Sequence, residues 1–295
     1  MNAAATPAYE PVVGRYLHMS LLGKSHRVYV EESGAGIPLV CLHTAGSDSR
    51  QYRALQNDAA ILANFRVIAF DLPWHGKSSP PAGWHTGEYR LTSADYVEIV
   101  RTVCRALGLS RPVVMGCSIG GRIVLNLALA HAEEFSALIG LQSGAHVDPY
   151  YDLDWLHRPD VHGGEVAAGI VSGLIGPSAP LGDRWETLWH YMQGGPGVFK
   201  GDLYFYKIDG DMRSRVAGID TRRCPLYLLS GEYDYSCTPE DTRELERNIA
   251  GAKAVIMPGL GHFPMSEDPP AFLAHLRPVL DEIRTSAATA SRTGR

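Results

Sequence analysis

Ser118 lies in the pattern Gly-x-Ser-x-Gly, which Gly116 and Gly120 complete. The apolar run 112–115 before it predicts a buried strand, and residues 121–130 after it have the apolar spacing of a helix. A sharp strand-to-helix turn would expose the Ser118 hydroxyl at a helix N-terminus, where unpaired N–H groups stabilise a developing oxyanion. A serine in this position is typical of a nucleophile in acyl transfer.

A serine hydroxyl is a weak nucleophile at neutral pH and needs a histidine base that a carboxylate orients. Asp234 and His262 fit these two roles, because they follow the apolar runs 226–229 and 254–257, each of which predicts a strand. The carboxyl ends of parallel strands meet at one edge of a sheet, so the two side chains should lie beside Ser118. Each could be an ordinary loop residue if taken alone. Their joint order along the chain favours a Ser-His-Asp triad.

The segment Cys-Leu-His-Thr-Ala-Gly at 41–46 follows another predicted strand. The backbone N–H groups of Ala45 and Ile119 are the expected donors to the oxyanion. His43 begins this loop, where it could hold the loop by hydrogen bonding or contact a substrate, and the first role is favoured. The loop and the Gly-x-Ser-x-Gly turn together predict an oxyanion hole.

Strands and helices alternate along the chain from residue 27, which predicts an α/β fold with a mostly parallel sheet and helices on both faces. The predicted strands are 27–32, 38–42, 66–70, 112–115, 137–141, 226–229 and 254–257. The predicted helices are 49–62, 93–107, 118–130, 238–249 and 270–283. This alternation is the framework that must bring the three candidate residues to one edge.

The segment 145–218 breaks the alternation, because it has no clear strand and is rich in glycine, proline and aromatic residues. A structureless loop of this length is uncommon in a compact domain, so the segment predicts a helical cap. Its aromatic side chains could form the core of the cap or line a substrate pocket. The predicted division is 1–144 with 219–285 for the core, 145–218 for the cap, and 286–295 for a disordered tail.

Composition excludes several classes of function. The chain has 295 residues and a formal net charge of -5, with no block of basic residues, so nucleic acid and anionic membranes are not expected partners. No apolar stretch reaches the roughly 20 residues of a membrane span. Five widely spaced cysteines and the lack of a secretory signal favour a cytoplasmic protein. No metal-ligand cluster or dinucleotide-binding pattern occurs, so no metal and no cofactor is expected.

The combined motifs resemble the α/β-hydrolase superfamily over residues 27–285. The resemblance rests on GCSIGG around Ser118, HTAG in the loop after a strand, GEYD ending at Asp234 and GLGHFPMSEDP around His262. It implies the α/β-hydrolase fold, with a mostly parallel eight-stranded sheet and a helical cap inserted after strand 6. One departure is Thr44, which stands where glycine usually follows the loop histidine.

Within the superfamily, HTAGSDSRQYR and FKGDLYFY are similar to segments of bacterial carboxylesterases that include monoalkyl phthalate hydrolases. This resemblance and the aromatic cap predict a carboxylic ester hydrolase for a small bulky or aromatic ester, such as a phthalate monoester. The residues expected at the substrate are His43, Trp74, Tyr150, Trp155, Trp189 and Phe263. The cap cations that could bind a free carboxylate, or be solvated instead, are Arg158, Arg184, Lys200, Lys207, Arg213 and Arg215.

Two other functions stay open at this point. The first is a C–C bond hydrolase of ring-cleavage products, although that branch usually has tryptophan where this chain has Phe263. The second is a ligand receptor with low turnover, because a fold does not determine function. The expected partner is a small ester in every enzymatic case, and a homodimer is left open.

Overall fold

An eight-stranded sheet forms the centre of the protein in the computed structural model, which describes residues 8–148, Leu156 and residues 163–293. The strands are β1 (Val13–Leu21), β2 (Lys24–Gly34), β3 (Ile37–Leu42), β4 (Phe65–Phe70), β5 (Val113–Cys117), β6 (Ala137–Leu141), β7 (Leu226–Gly231) and β8 (Lys253–Met257). Their order in the sheet is β1-β2-β4-β3-β5-β6-β7-β8. Strands β3 to β8 are parallel, whereas β2 pairs antiparallel with β1 and β4. The predicted mostly parallel sheet is confirmed.

Helices connect the parallel strands. They are α1 (Arg53–Gln56), α2 (Ala59–Leu62), α3 (Ser93–Ala106), α4 (Ile119–Ala130), α5 (Gly163–Val171), α6 (Leu181–Met192), α7 (Val198–Tyr204), α8 (Pro239–Asn248), α9 (Pro264–Glu267) and α10 (Pro269–Thr293). Within the described ranges, no helix combines the length and apolar character that a membrane span requires.

Two helix predictions need correction. The predicted helix 49–62 is a 3-10 turn followed by α1 and α2, because the Asp58 side chain accepts the Ile61 N–H and begins a new helix. Helix α10 extends to Thr293, so the expectation that 286–295 is disordered is wrong for its helical part. Alanine, which recurs in this tail, has the highest helix propensity of all residues.

Each face of the sheet is covered by its own hydrophobic core. Successive strand residues point to opposite faces. In β3, Val40 and Leu42 pack in a core with α3, α4 and α8, whereas Leu39 and Cys41 pack in a second core with α1, α2 and α10. Burial on both faces accounts for the nearly continuous apolar runs in the sequence.

Helices α5, α6 and α7 lie between β6 and β7, in the segment that the sequence assigns to a cap. We use the name cap for residues 163–218, and the boundaries 145 and 218 stay predictions. A third apolar cluster joins Val171 of α5 and Leu188 and Tyr191 of α6 to Phe263, which follows His262. The cap therefore packs against the loop that carries the candidate base.

All five cysteines are buried and have free thiols. Burial raises the pKa of every one of these thiols, to about 12 for Cys104, Cys224 and Cys237. The thiols are therefore protonated at neutral pH, as expected for reduced cysteines with a structural role.

Candidate active site

Ser118 lies on the turn between β5 and α4 with a φ of 59° and a ψ of -111°, a conformation that is strained for a residue with a side chain. The backbones here approach closely: a Cβ on Gly116 would lie 2.4 Å from the carbonyl oxygen of Gly120. The Ser118 N–H donates to the Leu141 carbonyl of β6 at 3.0 Å. The turn thus has the strand-to-helix geometry that the sequence predicts, and it is anchored to the next strand.

His262 and Asp234 form a buried pair. Nδ1 of His262 lies 2.8 Å from Oδ2 of Asp234, and because a carboxylate only accepts, Nδ1–H donates. In the neutral ring this tautomer places the lone pair on Nε2. The other oxygen, Oδ1, accepts the backbone N–H groups of Ser236 at 2.7 Å and Cys237 at 3.1 Å. Ser118 and His262 line the same cavity. The structure therefore brings the three predicted residues together.

Gln142 joins the loops that carry the acid and the base. Its Oε1 accepts the Gly231 N–H at 2.9 Å, and its Nε2 donates to the Gly261 carbonyl at 2.7 Å. Gln142 follows β6 directly and has a φ of 51°. Sequence reasoning missed this residue, although a polar residue after a buried strand at the same edge was a usable signal.

Glu267 holds the loop of His262 from the other side. Its carboxylate accepts backbone N–H groups from Gly261, from Gly176 of the cap at 3.3 Å and from Phe263 at 3.3 Å. Burial raises the pKa of Glu267 to about 7, although these hydrogen bonds oppose the shift. Glu267 is therefore a proton-binding group between the cap and the His262 loop.

Two backbone N–H groups are available beside Ser118. Ala45 lines the cavity of Ser118, and within the described ranges its N–H donates no hydrogen bond. Ile119 is the first residue of α4, so its N–H precedes the hydrogen-bond ladder of the helix. This is the arrangement expected of an oxyanion hole.

His43 holds its own loop. Nδ1–H donates to the Thr44 carbonyl at 2.8 Å, and Nε2 accepts the Leu72 N–H at 3.0 Å. Burial and the neighbouring His75 lower the pKa of His43, so its ring is neutral. Both nitrogens are occupied and His43 is not among the described residues of the Ser118 cavity. This geometry favours the loop-holding role, and a substrate contact of His43 stays a prediction.

Comparison with known proteins agrees with this geometry. A family model described as the alpha/beta hydrolase fold matches residues 37–162. This protein has the α/β-hydrolase fold. The fold that the motifs predicted is thereby confirmed. The solved structure of a thermophilic esterase from Thermogutta terrifontis superposes on this protein with a TM-score of 0.79 at 18% identity, over 92% of this chain and 99% of the esterase.

Two curated relatives are hydrolases as well. The pimeloyl-(acyl-carrier protein) methyl ester esterase of Nitrosospira multiformis is 23% identical over 266 residues, which are 84% of this chain and 96% of that protein. The 2-hydroxymuconate semialdehyde hydrolase of Pseudomonas putida is 31% identical over 191 residues, which are 65% of this chain and 53% of that protein. This chain is thus similar to an ester-cleaving protein along most of its length.

The cavity beside Ser118 is small and apolar. Its volume is about 20 Å³, enough for about one water molecule. The aromatic rings of Phe199, Tyr206 and Phe263 line it together with aliphatic residues such as Leu174. Phe263 therefore lies where the sequence predicts a substrate contact. No Lys, Arg, Asp or Glu is among the described lining residues.

Several residues that the sequence predicts at the substrate lie elsewhere in the structure. Trp74 has a φ of 78° and lines a separate cavity of about 410 Å³ with Trp84 and Tyr89. Trp189 is exposed on α6, where its ring lies under the Arg50 guanidinium. Neither residue is among the described lining residues of the Ser118 cavity, and a substrate contact for either one stays a prediction. Tyr150 and Trp155 lie outside the described residues.

The described cap cations that the sequence offers as carboxylate anchors also lie away from the Ser118 cavity. The described ones, Arg184, Lys200, Lys207, Arg213 and Arg215, do not line the Ser118 cavity. Arg184 lies 3.4 Å from the Gly176 carbonyl, and Arg213 pairs with Asp211. Arg158 lies outside the described residues. A carboxylate anchor is therefore not found in the described part of the cap.

Glu267→Gln should flatten the pH dependence of stability. Because the folded-state pKa of about 7 is above the ordinary value of 4.5, protonation of Glu267 stabilises the fold at low pH, and this contribution is lost as pH rises towards 7. Between pH 5 and pH 8 the free energy of unfolding should fall by about 2 kcal/mol more in the wild type than in the variant. Urea unfolding at both pH values measures this difference.

The exposed Glu244 gives a control for the Glu267 prediction. Glu244→Gln should keep the pH dependence of the wild type, because an exposed carboxyl gains little from folding. If Glu267→Gln and the wild type show the same change between pH 5 and pH 8, the carboxyl does not bind its proton in the folded state.

Proposed function

We propose that this protein is a serine hydrolase that cleaves carboxylic esters through an acyl-enzyme. The observation that carries the proposal is the buried His262–Asp234 hydrogen bond at the cavity that holds Ser118. A histidine whose Nδ1 proton is held by a carboxylate presents Nε2 as a base, and this is the state that a serine nucleophile requires.

The first half of the reaction forms the acyl-enzyme. Ser118 Oγ attacks the acyl carbon while His262 Nε2 takes the hydroxyl proton. Asp234 stabilises the resulting imidazolium, and the N–H groups of Ala45 and Ile119 bind the oxyanion. The tetrahedral intermediate then expels the alcohol, which receives the proton from His262.

The second half hydrolyses the acyl-enzyme with the roles of the groups reversed. His262 takes a proton from a water molecule, whose oxygen attacks the acyl carbon of Ser118. Collapse of the second tetrahedral intermediate returns the proton to Ser118 Oγ and releases the carboxylic acid. No metal or cofactor takes part in this scheme.

The cavity supports an uncharged ester with an apolar acyl group. A carboxylate in this cavity would lose its hydration among aromatic and aliphatic side chains, with no cation among the described lining residues to replace it. The phthalate monoester stays a prediction from the sequence, since Arg158 is the one candidate anchor outside the described residues.

A matched pair of phthalate esters tests the substrate class. We expect the dialkyl ester to be hydrolysed at least as fast, in kcat/KM, as the monoalkyl ester of the same alcohol, because the free carboxylate of the monoester must be desolvated. p-Nitrophenyl acetate and butyrate serve as reference substrates. A clear preference for the monoester would establish a cation at the substrate and restore the phthalate monoester as the leading substrate.

A C–C bond hydrolase is the second candidate, and the similarity to the 2-hydroxymuconate semialdehyde hydrolase favours it. Phe263 disfavours a C–C bond hydrolase, because the C–C bond hydrolases of this fold usually have tryptophan directly after the histidine base. If the purified protein hydrolyses a C–C bond in a ring-cleavage product and hydrolyses none of the esters, it is a C–C bond hydrolase.

A further inference from the structure

Two side chains of the cap hold the residues on either side of Ala45. The carboxylate of Asp202 in α7 accepts the backbone N–H of Gly46 at 2.8 Å. The hydroxyl of Tyr191 in α6 is hydrogen-bonded to the hydroxyl of Thr44. The Ala45 N–H, a proposed oxyanion donor, thus lies between two anchors that come from the cap and not from the sheet.

Asp202 is fully buried and is itself fixed by two further groups. Oδ2 lies 2.7 Å from His75 Nε2, and Oδ1 accepts the Tyr89 hydroxyl at 2.9 Å. The other ring nitrogen of His75 lies 3.0 Å from the Pro73 carbonyl. Because both ring nitrogens face oxygens that only accept, His75 carries both protons and a positive charge. This ion pair holds the carboxylate that binds Gly46.

The pKa of His75 agrees with this charge. Burial alone lowers the pKa of His75, but attraction to the Asp202 carboxylate and the hydrogen bond to it outweigh burial and raise the pKa above its ordinary value. The neighbouring His43 has the opposite state, since one of its nitrogens accepts the Leu72 N–H. The two adjacent histidines therefore have different charges because their partners differ.

Tyr191 acts on the other side of Ala45. The Thr44 hydroxyl donates to Gln51 Oε1 at 3.1 Å, and the Thr44 N–H donates to the same oxygen at 3.0 Å. Because a threonine hydroxyl has a single hydrogen, the Tyr191 hydroxyl must donate to Thr44 Oγ1. Thr44, which departs from the glycine expected after the loop histidine, supplies an anchor that glycine lacks.

We propose that Asp202 and Tyr191 are positioning residues that hold the Ala45 N–H at the oxyanion site. The proposal rests on the proposed function. An N–H group stabilises an oxyanion only when it is held within about 2.7–3.1 Å of the oxygen. Gly46 has a φ of 67° and no side chain, so the loop needs outside contacts to keep one conformation.

Kinetics of two variants test the positioning role. Tyr191→Phe removes the hydroxyl and keeps the ring, and Asp202→Ala removes the acceptor of the Gly46 N–H. We expect kcat for p-nitrophenyl butyrate to fall about 10-fold and about 10- to 100-fold respectively, because loss of a whole oxyanion donor costs about 100- to 1000-fold. KM should change little. If Asp202→Ala does not fold, Tyr191→Phe carries the test.

The inhibition constant Ki of an alkyl boronic acid distinguishes the positioning role from a purely structural role, which would leave this Ki unchanged. The boronic acid forms a tetrahedral adduct with Ser118 and places an oxygen at the oxyanion site. Its Ki should rise by the factor by which kcat/KM falls, while the Ki of the product butyrate stays the same. In an Ala45→Pro background, which lacks the N–H, Asp202→Ala should lower kcat no further.

Thr187 offers a matched control. It lies in α6, and its hydroxyl donates to Ser266 Oγ at 2.9 Å, a buried bond between cap and core that does not reach the oxyanion loop. Thr187→Val should lower Tm as Tyr191→Phe does and leave kcat near that of the wild type.

Two results would overturn the positioning role. One is an equal loss of kcat in Thr187→Val and Tyr191→Phe. The other is an unchanged kcat and boronic acid Ki in both Tyr191→Phe and Asp202→Ala. Turnover that persists in Ser118→Ala is a different result, because it would reject the proposed function itself.

Discussion

Replacement of Ser118 by alanine is expected to lower kcat for ester hydrolysis by about ten-thousand-fold or more and to leave the fold intact. The hydroxyl is the proposed nucleophile, so its loss removes the covalent route through the acyl-enzyme. The strained turn should be kept in Ser118→Ala, because the hydrogen bond from the N–H of residue 118 to the Leu141 carbonyl involves only backbone atoms. Stopped assays with p-nitrophenyl esters measure kcat, and circular dichroism with Tm measures folding.

Ser143 is a suitable control for the loss of a buried hydroxyl. It is buried, and in the described part of the chain its Oγ has no hydrogen-bond partner. Ser143→Ala should therefore keep the turnover of the wild type. If Ser118→Ala is folded and retains more than a few per cent of wild-type turnover, another residue is the nucleophile and the mechanism is wrong.

Asp234→Asn should cost about ten-thousand-fold in kcat although it changes a single atom. Oδ1 accepts the N–H groups of Ser236 and Cys237, so the amide oxygen of asparagine must take that place. The NH₂ group then faces His262 Nδ1 and forces the ring proton onto Nε2. In this tautomer, His262 has no lone pair for the proton of Ser118.

Asp241 gives the matched control, because it follows Asp234 by seven residues and holds the first turn of α8 by accepting the Thr238 N–H. Asp241→Asn should lower Tm slightly and leave kcat unchanged. Equal activity of Asp234→Asn and the wild type, measured as kcat from pH 6 to pH 9, would show that Asp234 does not set the tautomer of His262.

The inner strands were predictable because burial on both faces requires nearly continuous apolar runs, which are visible in the sequence. The run 137–141 is β6, and 112–115 differs from β5 by one or two residues at each end. Strand β1 (Val13–Leu21) was missed, since it is a mostly exposed edge strand in which residues 13–16 are all exposed and polar residues such as Arg15 and His18 interrupt the apolar ones. Its extended state depends on pairing with β2, and a local pattern does not contain that partner.

The proximity of Ser118, Asp234 and His262 was predictable because topology alone brings the ends of β5, β7 and β8 to one edge. The cap contacts were not, since the direction of a cap side chain depends on how helices dock: Trp189 points outward and Tyr191, two residues later, points inward. Asp202 left a weak trace, as a lone acid in the aromatic segment FKGDLYFY. The role of Asp202 becomes visible only in the structure, where its carboxylate contacts Gly46 and His75.

The burial of every cysteine makes this protein a clean background for site-specific labelling. A single cysteine introduced in place of the exposed Trp185 on α6 would be the accessible thiol for a maleimide dye or a nitroxide, while the five native thiols stay protonated inside. A second cysteine on the exposed face of α10 would allow the distance between two labels, one on the cap and one beside the sheet, to be measured. This distance would show how far the cap moves when an ester larger than the 20 Å³ cavity reaches Ser118.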